Sequence, residues 1–103
     1  MADRIHLTQE DDALRRARTD QPIREALRWI ANRLNDLRPH AFMSPAGREA
    51  IALTAATETF PKDEAAAADL EHALLLRMPH VDGPVTRADY AQSLFRAAGR
   101  GDA

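Results

Sequence analysis

No cysteine occurs in the 103 residues. That absence excludes a disulfide frame, a thiolate nucleophile and any cysteine metal site. Glycine is scarce: Gly47, Gly83, Gly99 and Gly101 are too scattered to form a phosphate-cradling loop. Ser44 and Ser93 are the only serines, and neither lies in a Gly-x-Ser-x-Gly elbow. Four Ile and two Val leave few β-branched aliphatics, and no segment alternates apolar with polar residues, so the chain argues against sheet. No apolar run approaches the roughly 18 residues of a membrane span. The stretch from Met1 to Asp12 has no apolar core of a signal peptide, which predicts a cytoplasmic protein with no membrane partner.

The 45% hydrophobic fraction overstates the core. Twenty-one of those residues are alanine, leaving 25 larger apolar side chains in one domain covering 1–103. So thin a core makes burial against a second copy attractive. Thirteen Arg against one Lys, with so much alanine, points to a GC-rich bacterial or phage genome. The net charge of −2 gives no general pull toward nucleic acid or membrane.

The punctuation predicts five helices. Thr8 opens a weak one to about Thr19, with Asp11–Arg15 and Asp12–Arg16 as favourable i,i+4 pairs. Asp20 as cap and Pro22 in the first turn open a second. In it Ile23, Leu27, Ile30, Leu34 and Leu37 recur at spacings of 4, 3, 4 and 3, forming one stripe before Pro39. Ser44-Pro45 opens a third to about Phe60. It is apolar on two sides: Gly47, Ile51 and Ala55 on one, Leu53, Ala56 and Phe60 on the other. A fourth runs from about Pro61 to Met78, with Asp63 and Glu64 in its first turn and Leu70 to Leu76 burying its second half. Thr86 caps a fifth, whose face is Tyr90, Ala91, Leu94, Phe95 and Ala98, with Gly99 suited to its C-terminal cap. The expected architecture is all-α: a four- or five-helix bundle built from two helical hairpins plus a short N-terminal helix, with frayed termini at about 1–6 and 99–103. A faint echo, Leu37-Arg-Pro-His against Leu76-Arg-Met-Pro-His, is the trace a duplicated hairpin would leave.

Chemistry has few places to sit. Asp3-x-x-His6 and Asp69-x-x-His72 share the acid-x-x-His spacing of di-iron bundles. On a helix, however, Asp69 and His72 point away from the leucine stripe, so no metal site and no cofactor is expected. His40 and His80 each follow a proline at a helix end, where an imidazole can bond a nearby carbonyl. No acid, base and nucleophile converge, so the reading leans away from an enzyme.

Partner binding is the better supported class. Trp29 lies about 120° from the centre of the second helix's stripe, among Glu25, Arg28, Asn32 and Arg33. A tryptophan amid charges is an interface anchor by type, unless the first helix folds over it. Ala41-Phe42-Met43 is apolar for a loop and either plugs the bundle or joins a contact surface. The expected function is a non-enzymatic protein-interaction or regulatory module, a homodimer that uses Trp29, Phe42, Met43, Ile51 and Ala55. The alternative is a helix-turn-helix-like DNA-binding regulator whose last helix presents Gln92, Ser93, Arg96 and Arg100. Its predicted seven-residue turn, Pro79 to Val85, and the acidic fourth helix count against it.

Overall fold

The seam beginning at Ile23 winds into a helix whose inward face is dry. The computed structural model describes residues 20–99. Four helices are found there, and no strand occurs among the described residues. The helix described over residues 20–36 is α1. It is followed by α2 (Pro45–Thr59), α3 (Glu64–Arg77) and α4 (Arg87–Gly99). The predicted helix from Thr8 to Thr19 and both predicted frayed termini, apart from Gly99, lie outside the described residues.

Ile23, Leu27, Ile30 and Leu34 of α1 are all buried, as their spacing demands. They meet Ala52, Ala55 and Ala56 of α2, Leu70 and Leu74 of α3, and Tyr90, Ala91, Leu94 and Ala98 of α4 in one core. Leu27, Ile30, Leu34, Leu74 and Leu94 are its largest fully buried side chains. Each is worth roughly 1.5–3 kcal/mol of burial. Seven of the seventeen buried apolar residues among those described are alanines, so the helices approach closely but bury little per residue.

Leu37 does not extend the seam; it is 48% exposed. The residue before a proline leaves the right-handed helical region, and Arg38, before Pro39, sits in the left-handed region at φ 52°. The helix therefore stops at residue 36, and Leu37 swings out of the stripe. Arg77, by contrast, is the last helical residue of α3, so the two echoing segments adopt different backbones.

Local chemistry sets the other boundaries. Ser44 caps α2, its Oγ accepting from the Gly47 N–H at 2.9 Å, with Pro45 in the first turn. The buried stripe of α2 is Arg48, Ala52, Ala55 and Ala56; Leu53, expected on a second apolar side, is exposed. Asp63 is the cap of α3, accepting from the Ala66 N–H at 3.0 Å, and is not part of its first turn. The second half of α3 is only partly covered, because Leu76 is 76% exposed. Asp20 is already helical and so is not a cap; its carboxylate instead meets Arg77 at 2.9 Å. Gly99 is still helical and has no left-handed φ.

The first turn of α4 receives help from a distant loop. The Arg87 N–H donates to the Ala41 carbonyl (2.8 Å) and the Ala88 N–H to the Pro39 carbonyl (3.0 Å). The Asp89 N–H goes to the Thr86 hydroxyl (3.1 Å), and the Tyr90 N–H bonds the Thr86 carbonyl (2.9 Å). The N–H groups of Arg87, Ala88 and Asp89, which the helix start leaves open, are thus satisfied, and Tyr90 makes the first bond within the helix. The Met43 N–H donates to Val85 (2.8 Å), and Arg87 Nε donates to the Leu37 carbonyl (2.8 Å). Residues 37–43 are therefore stitched to the start of α4.

Candidate interaction surface

Trp29 stands on α1 at the edge of the core, half-buried, with its outer side open. One turn further on, the Arg33 guanidinium lies 5.3 Å from the indole centroid, a cation–π contact. Two clefts flank the ring. One, of about 280 Å³, is lined by Pro22, Glu25, Ala26 and Trp29 of α1 and by Ala55, Glu58 and Thr59 of α2. The other, of about 350 Å³, is lined by Trp29, Asn32, Arg33, Asp36 and Leu37. The first holds two carboxylates; the second carries both Arg33 and Asp36 on its walls. Glu25 accepts only from Gln21 Nε2 (2.9 Å), and none of Glu25, Glu58 and Arg33 has an opposite charge as partner among the described residues.

Phe42 is 71% exposed. Its exposure does not come from a loose loop, because its neighbours Ala41 and Met43 are both fixed by the backbone bonds to Arg87 and Val85. Phe42 itself pairs with Thr86 in an isolated antiparallel bridge. Met43 turns inward and is buried. Ile51 is half-buried against the core, and Ala55 is buried on the floor of the first cleft. Of the five expected contact residues, Met43 and Ala55 are thus occupied within this chain. Trp29, Phe42 and Ile51 keep surface to offer. Leu37, Leu53 and Leu76 are further exposed apolar side chains whose exposure the periodicity did not reveal.

A second cluster, absent from the sequence reading, lies at the end of α3. Arg48 is only 8% exposed although charged. Its Nη2 donates to the carbonyls of Leu75 (2.6 Å) and Met78 (2.9 Å), and its Nε donates to Pro79 (3.0 Å). Leu75 lies in the last turn of α3, whose carbonyls lack helical partners, and Met78 and Pro79 follow directly after it, at the negative end of its dipole. Tyr90 donates its hydroxyl to the same Pro79 carbonyl. Burial pushes the Tyr90 phenol above its ordinary value, and the nearby Arg48 partly opposes this. Arg48 thus does for α3 what the sequence assigned to His80. Both His40 and His80 are exposed and form no hydrogen bond among the described residues.

On α4, Gln92 and Arg96 are exposed, while Ser93 is half-buried and accepts from Arg96 at 3.2 Å. Arg100 lies outside the described residues. Asp69 and His72 are exposed, and no group of three or more metal-binding side chains gathers among the described residues. None of the described helices is long and apolar enough to cross a membrane. Comparison with protein-family models, with curated proteins and with solved structures finds no match for the chain.

Proposed function

We propose that the protein is a non-enzymatic interaction module that acts as a homodimer, with Trp29 and Phe42 as its aromatic anchors. The observation that carries this reading is Phe42: a large apolar ring held 71% exposed by a loop that is itself hydrogen-bonded in place. Aromatic side chains fixed at the surface supply contact area at low entropic cost and dominate interface energetics. In this reading the two hairpins, α1–α2 and α3–α4, form the bundle, the N-terminal helix adds to it, and the assembly works in the cytoplasm. Sedimentation should show a discrete dimer that survives moderate salt. Phe42→Ser should shift it toward monomer while leaving helical content unchanged. A single 11.4 kDa species persisting to about 1 mM, a concentration at which only negligible affinity would escape detection, contradicts the proposal.

The DNA-binding alternative has weaker support. A recognition helix brings its N-terminal residues to the groove, whereas here the first turn of α4 is sewn to residues 37–43. That reading predicts duplex binding that falls steeply with salt and with loss of Arg96 or Arg100. No mobility shift at about 50 mM salt sinks it.

A further inference from the structure

The outer face of α1 is self-complementary about Trp29. At 100° per residue, Glu25 and Arg33 lie four residues before and after Trp29, displaced by about 40° to either side of it. A twofold axis passing beside Trp29 runs two copies of α1 antiparallel, so that a residue four positions before the tryptophan meets one four positions after it in the partner. That operation seats Arg33 of each copy over the other copy's first cleft. There Glu25 and Glu58 offer two carboxylates that no cation of the described residues neutralises. Arg33 for its part rests on the indole face, shares its cleft with Asp36 and makes no ion pair among the described residues. Opposite charges that form no ion pair among the described residues, at positions that a single symmetry operation pairs twice, are what an isologous contact requires.

We infer that α1 docks antiparallel onto α1 of a second copy of this chain, Trp29 against Trp29, with Arg33 of each copy entering the cleft formed by Glu25, Trp29 and Glu58 of the other. The inference rests on the homodimer reading and adds to it the face, the orientation and the charge pairs. Shallow clefts on both sides of the ring give the incoming tryptophan and arginine room, and Ala26 and Ala55 on the wall and floor of the first let a neighbouring helix come close.

Charge exchange tests it. Arg33→Glu sets glutamate against glutamate twice per dimer, and Glu25→Arg sets arginine against arginine twice. Each single change should weaken dimerisation roughly tenfold in sedimentation equilibrium. The double variant Glu25→Arg/Arg33→Glu should regain most of that loss, and circular dichroism should match wild type throughout. Because the chain has no cysteine, an equimolar mixture of the Glu25→Cys and Arg33→Cys proteins gives a second readout. Mild oxidation should yield the mixed disulfide dimer in preference to either self-linked species, since disulfides form only between closely placed Cβ atoms. A wild-type dimer indifferent to the single exchanges, not rescued by the double one, or free of the mixed crosslink overturns the antiparallel pairing while leaving dimerisation standing. A wild-type chain that stays monomeric overturns dimerisation itself, and the pairing with it.

Discussion

Two charged clusters of this all-helical structure handle their arginines in opposite ways. At the end of α3, Arg48 is buried and spends its N–H groups on three backbone carbonyls, with Tyr90 sharing one of them. On the outer face of α1, Arg33 is exposed, rests on an indole ring, and makes no ion pair among the described residues. The first arrangement is closed: no buried side-chain polar atom is left without a partner among the described residues. The second is open, with clefts on both sides of Trp29 and charges that no ion pair among the described residues neutralises. Fold stability should therefore depend on the first cluster and association on the second.

The largest effect should come from breaking the closed cluster. Arg48→Met removes the donors while keeping much of the stem, and leaves the carbonyls of Leu75 and Met78 without their partner and that of Pro79 with Tyr90 alone. Stranding buried acceptors in this way should cost about 3 kcal/mol, read as a lower urea midpoint. A change under about 0.5 kcal/mol would mean that water or the helix end itself satisfies those carbonyls.

Tyr90→Phe comes next. Loss of the bond to Pro79 should cost about 1 kcal/mol, and the substitution should also alter the alkaline stability profile. Burial raises the phenol's pKa in the folded state, so the folded chain holds this proton more tightly than the unfolded chain. The resulting stabilisation is complete below the unfolded value of about 10 and is lost as pH rises through the folded value. Wild type should therefore lose stability above about pH 10 more steeply than Tyr90→Phe. Tyr90 is the only tyrosine, so absorbance at the phenolate band follows it alone. A midpoint at the ordinary tyrosine value would contradict the burial argument.

How much of this contrast was legible follows from the range of each interaction. Ser44 and Thr86 were identifiable as caps because a cap bonds an N–H three residues away. The seam from Ile23 to Leu34 was legible because periodicity is local. Leu37 was misplaced because the influence of Pro39 on Arg38 ended the helix one step before the spacing did. Arg48 could not be foreseen from neighbours, since its carbonyls lie 27 to 31 positions away. The only trace in the sequence was a charged residue sharing the stripe of Ala52, Ala55 and Ala56. The stitching of residues 37–43 to α4 spans 42 to 50 positions and leaves no periodic mark. The type of Trp29 and Phe42, apolar rings outside the seam, is itself a local signal, whereas the clefts beside Trp29 and the exposure of Phe42 depend on the fold.

Arg38 sharpens the comparison from a third direction. It holds φ 52° where a helix end usually places glycine. Arg38→Gly should stabilise the fold by about 1 kcal/mol without touching either cluster, measured as a raised urea midpoint with unchanged association. The smallest stability effect belongs to Arg33→Ala, within about 0.5 kcal/mol, because an exposed charge contributes little to its own fold. A loss as large as that of Arg48→Met would erase the distinction between the clusters.

Trp29 is the only tryptophan in the chain, so its fluorescence reports directly on whether the outer face of α1 becomes covered. As protein concentration rises through the dimerisation range, the emission should shift to the blue and iodide quenching should fall, and Arg33→Glu should displace both changes to higher concentration. Emission and quenching that stay constant across that range, in wild type and variant alike, would contradict the claim that this face receives a second copy.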